Sequence, residues 1–253
     1  IAKMADLGLL GMMVEPEWGG NGMDAISYSI AMEEISKIDA SASVVMSVNN
    51  SLVCSIFQKY ANDKQMEKYL KPLAKGKKLG CFSLSEPQSG SDASNMKTYA
   101  VQDGDDFIIS GTKNWVTNGI NADIVMLFCI TEKGVGHKGI SCFIVDKKLE
   151  GLSAGKPEEK LGIRASDTCE LYFDQVRVSK ENLIGALGDG FKIALSTLDG
   201  GRIGIASQAL GIAQASLDNS IKYSKERKQF GKSIASNQGI QFKLADMAME
   251  IEA

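Results

Sequence analysis

The sequence is short of the residues that build metal and hydrolytic sites. It holds one histidine, His137, set in the glycine-rich turn Gly134–Gly139. One histidine and no Cys/His cluster supply no zinc ligand set, so no metal site is expected. A Ser-His-Asp triad would have to recruit that loop-tip histidine, which argues against hydrolysis of that kind. The five cysteines (54, 81, 129, 142 and 169) are odd in number and contain no CxxC pair. Cys81, Cys129, Cys142 and Cys169 sit in strand-like segments, and they read as small reduced core residues. Asn49-Asn50-Ser51 fits a glycosylation sequon, read here as coincidence beside reduced thiols.

An excess of one charge is also missing. Lys and Arg number 28 against 31 Asp and Glu, a net charge of −3. No basic surplus exists to grip a phosphate backbone, so no nucleic-acid role is expected. No run reaches the ~18 apolar residues of a membrane span. The longest, such as Ile124–Ile130, have the length of a buried strand. No internal repeat and no low-complexity tract is present. What remains is ordinary globular composition, 44% hydrophobic and 23% charged. At ~150 residues per domain, the length suits one large domain or two to three small ones.

Residues 1–78 read as helical. Tyr28, Met32, Ile35 and Ile38 share a face, behind a turn-rich loop (Pro16, Trp18, Gly19, Gly20, Gly22) and a capping Asp24. Asn62 or Asp63 opens another helix with Met66, Tyr69, Leu70 and Leu73, ended by Gly76. Residues 79–185 change character. Short β-rich runs at 79–83, 97–101, 107–110, 123–131, 140–146 and 170–178 are separated by Gly, Asn-Gly and Asp-Gly turns. No helical period lies between them, which predicts an antiparallel barrel or sandwich. Residues 186–253 return to a helical period, with Ile203, Ala206, Leu210, Ala213, Leu217 and Ile221 on one stripe. Ser236 then caps a last helix with Ile240, Leu244, Met247 and Ile251 on one face. The fold class is therefore α+β: a helical domain, an antiparallel β-domain and a C-terminal helical bundle. The chain begins with Ile1 and stops after an apolar-striped helix without a terminator, so a longer natural protein is expected.

Four segments could carry chemistry, and each has a plainer alternative. Cys81–Asp92 runs from a strand into a Gly/Ser loop whose N–H groups and hydroxyls could converge on phosphate or flavin oxygens; the alternative is a surface turn. In Lys113–Gly119, Trp115 and Thr117 lie two apart on a strand and face one side. An indole beside a hydroxyl could stack on a planar cofactor and bond its edge; the alternative is a core tryptophan beside a hairpin turn. Asp199-Gly200-Gly201-Arg202 places two glycines in a helix at a cost of ~1 kcal/mol each. They could admit a ligand or let two helices close together. Arg227 could pair with a pyrophosphate and Phe230 could pack on an adenine, with Gln238 further on. The alternative is a charged helix end followed by a cap glycine, Gly231.

In order, spacing and wording these segments resemble the acyl-CoA dehydrogenase family, over essentially the whole chain. The stretches 8–22, 31–36, 83–92, 113–119, 160–164 and 227–231 look like its motifs. Met46–Leu52 and Leu198–Gln214 look like its short-chain, butyryl-CoA branch. The resemblance implies an N-terminal helical domain, a middle β-domain and a four-helix C-terminal domain, with FAD bound between the last two. It implies that Phe82, Ser83, Leu84 and Ser85 lie along the flavin and that Ser91 contacts the CoA part of the substrate. Trp115 and Val116 would lie at the flavin ring and Thr117 would bond near its N5. Asp199, Gly200, Gly201 and Arg202 would line the acyl-CoA channel. Arg227, Phe230 and Gln238 would contact FAD, Arg227 and Gln238 from a neighbouring subunit, implying a homo-oligomer, usually a tetramer.

The implied reaction is α,β-dehydrogenation of a short-chain acyl-CoA thioester, with electrons passed to an electron-transfer flavoprotein. A bacterial cytoplasm and a mitochondrial matrix both fit. One departure matters. Gly201 stands where the isovaleryl and long-chain branches carry their catalytic glutamate, and glycine cannot be a base. In the short- and medium-chain branches that glutamate lies downstream, which here falls beyond Ala253. No residue of this chain is therefore assigned as catalytic, and residues 1–253 alone are expected to be inactive. The alternatives are an acyl-CoA oxidase and an inactive flavin or acyl-CoA binder.

Overall fold

A computed structural model describes all of residues 1–253. Local capping sets the first helices. The Asp24 carboxylate accepts from the Ser27 N–H at 2.8 Å and opens helix Ala25–Ile38. Asn62 and Gln65 bond reciprocally, a capping box that opens the helix of residues 63–74. Between them runs helix Ala40–Tyr60, which turns π-helical over Val48–Cys54. By length and composition this helix could cross a membrane, although it contains no unbroken apolar run of that length. Yet 72% of its apolar window is buried inside the protein, as in a core helix.

Eight strands follow: β1 (Gly80–Ser83), β2 (Tyr99–Asp103), β3 (Asp106–Thr117), β4 (Ile124–Ile130), β5 (Ile140–Asp146), β6 (Leu152–Pro157), β7 (Thr168–Ser179) and β8 (Leu183–Ile184). They form one sheet in the order β6-β7-β3-β2-β4-β5-β8, with β1 attached to β4. The sheet is not purely antiparallel as expected. β1 pairs with β4 in parallel, and β2 meets β4 in parallel at Tyr99–Ile130. The reason lies in β4. Its Val125, Leu127 and Cys129 enter the β-domain core, while Ile124, Met126 and Phe128 pack against the helices. A strand covered on both faces suits parallel neighbours as well as antiparallel ones. β6 is largely solvent-facing and was not foreseen, because its residues lack apolar alternation. Phe107 of β3 and Phe143 of β5 are not neighbours in strand order, yet their rings lie 5.0 Å apart. The sheet therefore curls around a single interior.

Helix Gly190–Glu226 then returns across the N-terminal helices. The predicted stripe is buried only toward its C-terminal end: Leu217 is buried, whereas Ile203 and Leu210 are 50% and 37% exposed. Over the first half of the stripe the buried positions are instead Gly201, Gly204, Gln208 and Gly211. A Cβ on Gly204 would sit 2.9 Å from Tyr28 Oη and Ser47 Oγ, so these two side chains reach the helix backbone only because it is absent. Gln208 Nε2 donates to Ala40 O and Ser43 Oγ, both at 2.8 Å, across the same seam. The last helix is Gln238–Glu252, with Asn237 at its N-cap position. Ser236 is not the cap, because its hydroxyl donates back to Ser233 O at 2.7 Å. The half-buried positions of this helix are Ile240, Leu244, Met247 and Ile251, as the periodicity predicts.

Candidate active site

Three segments meet at one cavity of about 340 Å³. The first leaves β1 as a loop that closes on itself through paired backbone bonds between Glu86 and Ser89, at 2.8 and 3.0 Å. The second is the end of β3, held beside that loop by the Asn114 N–H donating to Ser85 O at 2.8 Å. The third is the start of the long helix, seated on β5 where Gly190 leaves no room for a side chain. Phe82, Leu84, Ser85, Ser91, Asn114, Trp115 and Thr117 form the β-side wall. Leu195, Leu198 and Arg202 form the helical wall, and Val48 and Leu52 close the floor.

Trp115 is shaped by its backbone. It adopts φ +58°, within an irregularity between Lys113 and Val116 in the β3–β7 pairing. For a bulky side chain this region costs about 1–3 kcal/mol and persists only where neighbours over-determine it. Lys113 on one side is fully buried and Val116 on the other is in the β-domain core. The indole is turned out between them, 58% exposed, and Thr117 lies on the same cavity wall. Val116 therefore packs into the core and does not line the cavity. Ser83 follows Phe82 on β1, is wholly buried and has no partner for its hydroxyl.

Behind this wall lies an ion pair that sequence reasoning did not foresee. Lys113 Nζ donates to Glu86 Oε1 at 2.9 Å and to Leu84 O at 2.8 Å. Glu86 also accepts from Lys97 N (2.6 Å), Thr98 N (3.0 Å) and Gln88 Nε2 (2.7 Å). Burial alone would raise the Glu86 pKa, but the Lys113 ammonium and these donors outweigh it and bring it to about 2. A carboxylate so committed is no proton acceptor. Asp199 pairs with Arg202 on the open helix surface, both side chains well exposed.

The two helix glycines differ. A Cβ on Gly201 would meet Leu52 Cδ2 at 2.8 Å, so this glycine makes room for the Leu52 side chain. Gly201 and Arg202 also border an apolar groove with Val48, Leu52 and Leu198, continuous in lining with the cavity. Gly200 has open space above it and borders a separate cleft with Tyr28, Asn50 and Ser51. Arg227, Phe230 and Gln238 are exposed and outside the cavity. Arg227 lies roughly 37 Å beyond Arg202 at ~1.5 Å per helical residue. One chain does not bring these three to the other site residues.

Asn49, the first residue of the sequon-like Asn49-Asn50-Ser51, is wholly buried. Its Nδ2 donates to Leu10 O (2.8 Å) and Leu73 O (3.2 Å), and its Oδ1 accepts from Gly80 N (3.1 Å). It ties the N-terminal loop, a helix end and β1 together just behind the cavity floor. All five cysteines are free and buried. Burial pushes the Cys54 and Cys129 thiols up to about 12 and Cys169 to about 11.

Family models match along the chain in three pieces: acyl-CoA dehydrogenase N-terminal domain over residues 1–77, middle domain over 81–176 and C-terminal domain over 188–253. Short-chain specific acyl-CoA dehydrogenase, mitochondrial, of Mus musculus is 51% identical over all of this chain, which spans 61% of that protein's length. A structure of butyryl-CoA dehydrogenase from Megasphaera elsdenii superposes with a TM-score of 0.96 at 45% identity, over 99% of this chain and 67% of that one. A chain from a structural study of the electron transferring flavoprotein of Acidaminococcus fermentans gives 0.97 at 47%, over 99% and 66%. Three domain matches in this order, on a fold shared with those structures, show that the chain belongs to the acyl-CoA dehydrogenase family.

Proposed function

We propose that the protein is an FAD-dependent dehydrogenase that converts a short-chain acyl-CoA thioester to its trans-2-enoyl-CoA and passes the electrons to an electron-transfer flavoprotein. The observation that carries this reading is the single cavity in which the Gly/Ser loop, the Trp115–Thr117 wall and the Arg202 helix meet. The donor set fits a flavin. An outward indole offers a flat apolar face, and the hydroxyls of Ser85, Ser91 and Thr117 can bond ring-edge or phosphate oxygens. FAD, when bound, supplies the two-electron acceptor.

The chain's own residues do the rest. Trp115 and Phe82 orient the planar group, and Thr117 and Ser85 fix its edges. Leu84, Leu195 and Leu198 exclude water from the reacting carbons. Ser91 and Arg202 hold the CoA side, and the groove beside Gly201 and Leu52 takes the acyl chain. Glu86 and Asp199 are both committed to cations, so neither takes the α-proton. The reading therefore needs a carboxylate from outside this cavity lining for that role. Arg227 and Gln238 serve the cofactor of a neighbouring subunit in a homotetramer, and Phe230 packs on an adenine, since none of the three lines the cavity of its own chain. The Mus musculus relative is named as mitochondrial and others are bacterial, so the compartment is a mitochondrial matrix or a bacterial cytoplasm.

The test is an anaerobic titration of the full-length, FAD-loaded protein with butyryl-CoA, following flavin absorbance. Bleaching supports dehydrogenation, and longer acyl chains then rank substrates. Binding without bleaching points to an inactive binder. Peroxide formation in air at the turnover rate points to an oxidase. Full-length protein purified without flavin and unable to take it up refutes the reading.

A further inference from the structure

We propose that the buried Lys113–Glu86 pair is the positioning element of the cavity wall, holding the Ser83–Asp92 loop against the end of β3 so that the Trp115 indole stays turned toward the cofactor. This rests on the flavin reading above. Three observations converge on it. Lys113 is fully buried yet its ammonium bonds two groups of the loop, the Leu84 carbonyl and the Glu86 carboxylate. Glu86 in turn gathers the backbone N–H groups of Lys97 and Thr98, which ties the start of the loop to the residues just ahead of β2. The very next residues form the wall: Asn114 bonds the loop at Ser85 O, and its Oδ1 accepts from the Trp115 N–H at 2.7 Å.

The positive φ of Trp115 needs such anchoring. Val116 fixes the strand on its far side by packing in the β-domain core. Lys113 fixes the near side, and it does so through the loop rather than through apolar packing. A methionine of similar length would fill the same space and make neither bond. If stability alone were the purpose, an apolar pair would serve as well, because a buried ion pair is a weak stabiliser. What an apolar pair cannot do is set the register of loop against strand through directional bonds. Neither residue touches the cavity, so both are positioning residues, not catalytic ones.

The test separates position from stability. In full-length protein carrying Trp18→Phe, Trp115 is the sole tryptophan of the region described, and tryptophans elsewhere in the full-length chain are likewise replaced by phenylalanine. Emission wavelength and acrylamide quenching are read at a temperature where every variant is folded, with FAD affinity and the visible circular dichroism of the bound flavin measured beside them. Lys113→Met is expected to lower Tm, to move Trp115 emission and quenching, and to weaken FAD binding roughly tenfold to hundredfold, as lost alignment does. Glu86→Gln combined with Lys113→Met removes the stranded charge. Its Tm is expected to recover toward the parent, while the Trp115 signal and the FAD affinity stay displaced. The proposal is overturned if the Trp115 signal returns to the parent value together with Tm, or does not move in either variant. If the parent protein binds no FAD, the flavin reading fails, and the Trp115 signal still decides whether the pair positions the wall.

Discussion

Replacing Gly211 and Gly200 separately by alanine should shift stability in opposite directions, although both lie in the same helix. Alanine in a helix interior gains up to ~1 kcal/mol over glycine from backbone entropy. At Gly211 the new Cβ would stand 2.8 Å from Ser36 Cβ and 3.1 Å from the Glu33 carbonyl carbon. Ordinary carbon contacts are about 3.5–4.0 Å, so the helix must lift by much of an ångström. Overpacking of this kind costs about 1–3 kcal/mol. Lifting also stretches the two Gln208 bonds one turn away, each contributing about 0.5–1.5 kcal/mol. The net loss is then about 1–5 kcal/mol. For a chain of this size that lowers Tm by roughly 2–4 °C per kcal/mol. At Gly200 nothing lies within 4 Å of the added methyl, so only the entropic gain remains and Tm rises by a few degrees. Thermal unfolding followed by circular dichroism at 222 nm reads both. A Gly211→Ala protein as stable as the parent, or shifts of the same sign at both sites, would refute the seam.

Three further outcomes are expected. Asn49→Leu strands the Leu10 and Leu73 carbonyls and the Gly80 N–H in the core; at about 1–3 kcal/mol per buried unmet group it should largely abolish soluble expression or lower the urea midpoint severely, whereas Asn49→Ala with a trapped water should do so less. Glu86 has a folded pKa of about 2, below its ordinary value of 4.5, so its contribution is complete above pH ~4.5 and is lost as pH falls toward 2. Urea midpoints measured across that window should fall for the parent and fall less steeply for Glu86→Gln; equal slopes would remove Glu86 from the acid limb. Ellman's reagent at pH 8 should find none of the five cysteines of residues 1–253 reactive in the native protein and all five after denaturation, because each is buried and protonated.

Much of the fold could be read where its causes are local. Asp24 and Asn62 cap helices through bonds spanning three residues, and such bonds follow from residue type and spacing. The stripe of the last helix and the strands β4 and β5 follow from periodicity in the same way. The long helix follows from periodicity, and Leu217 of its stripe is buried, but the first half of its seam is built of glycines, which leave no hydropathy signal, while Ile203 and Leu210 face outward. β6 was missed because it is polar. The site segments were visible as motifs, yet their roles divided in ways no motif shows. Trp115 and Thr117 reach the cavity, Val116 turns into the core, and Gly200 and Gly201 open onto different clefts.

The amino-acid sequence by itself determined the family, the helix–strand–helix order and the segments that meet at the cavity, because motif wording and short-range periodicity are properties of neighbours along the chain. Only the tertiary structure decided that Lys113 and Glu86, 27 residues apart, form one buried pair. It also decided that Asn49 joins three elements and that β1 lies parallel to β4. Those contacts depend on burial and on backbone groups brought together from distant positions. A charged side chain reads as surface in a sequence until the fold removes it from water and supplies its partner.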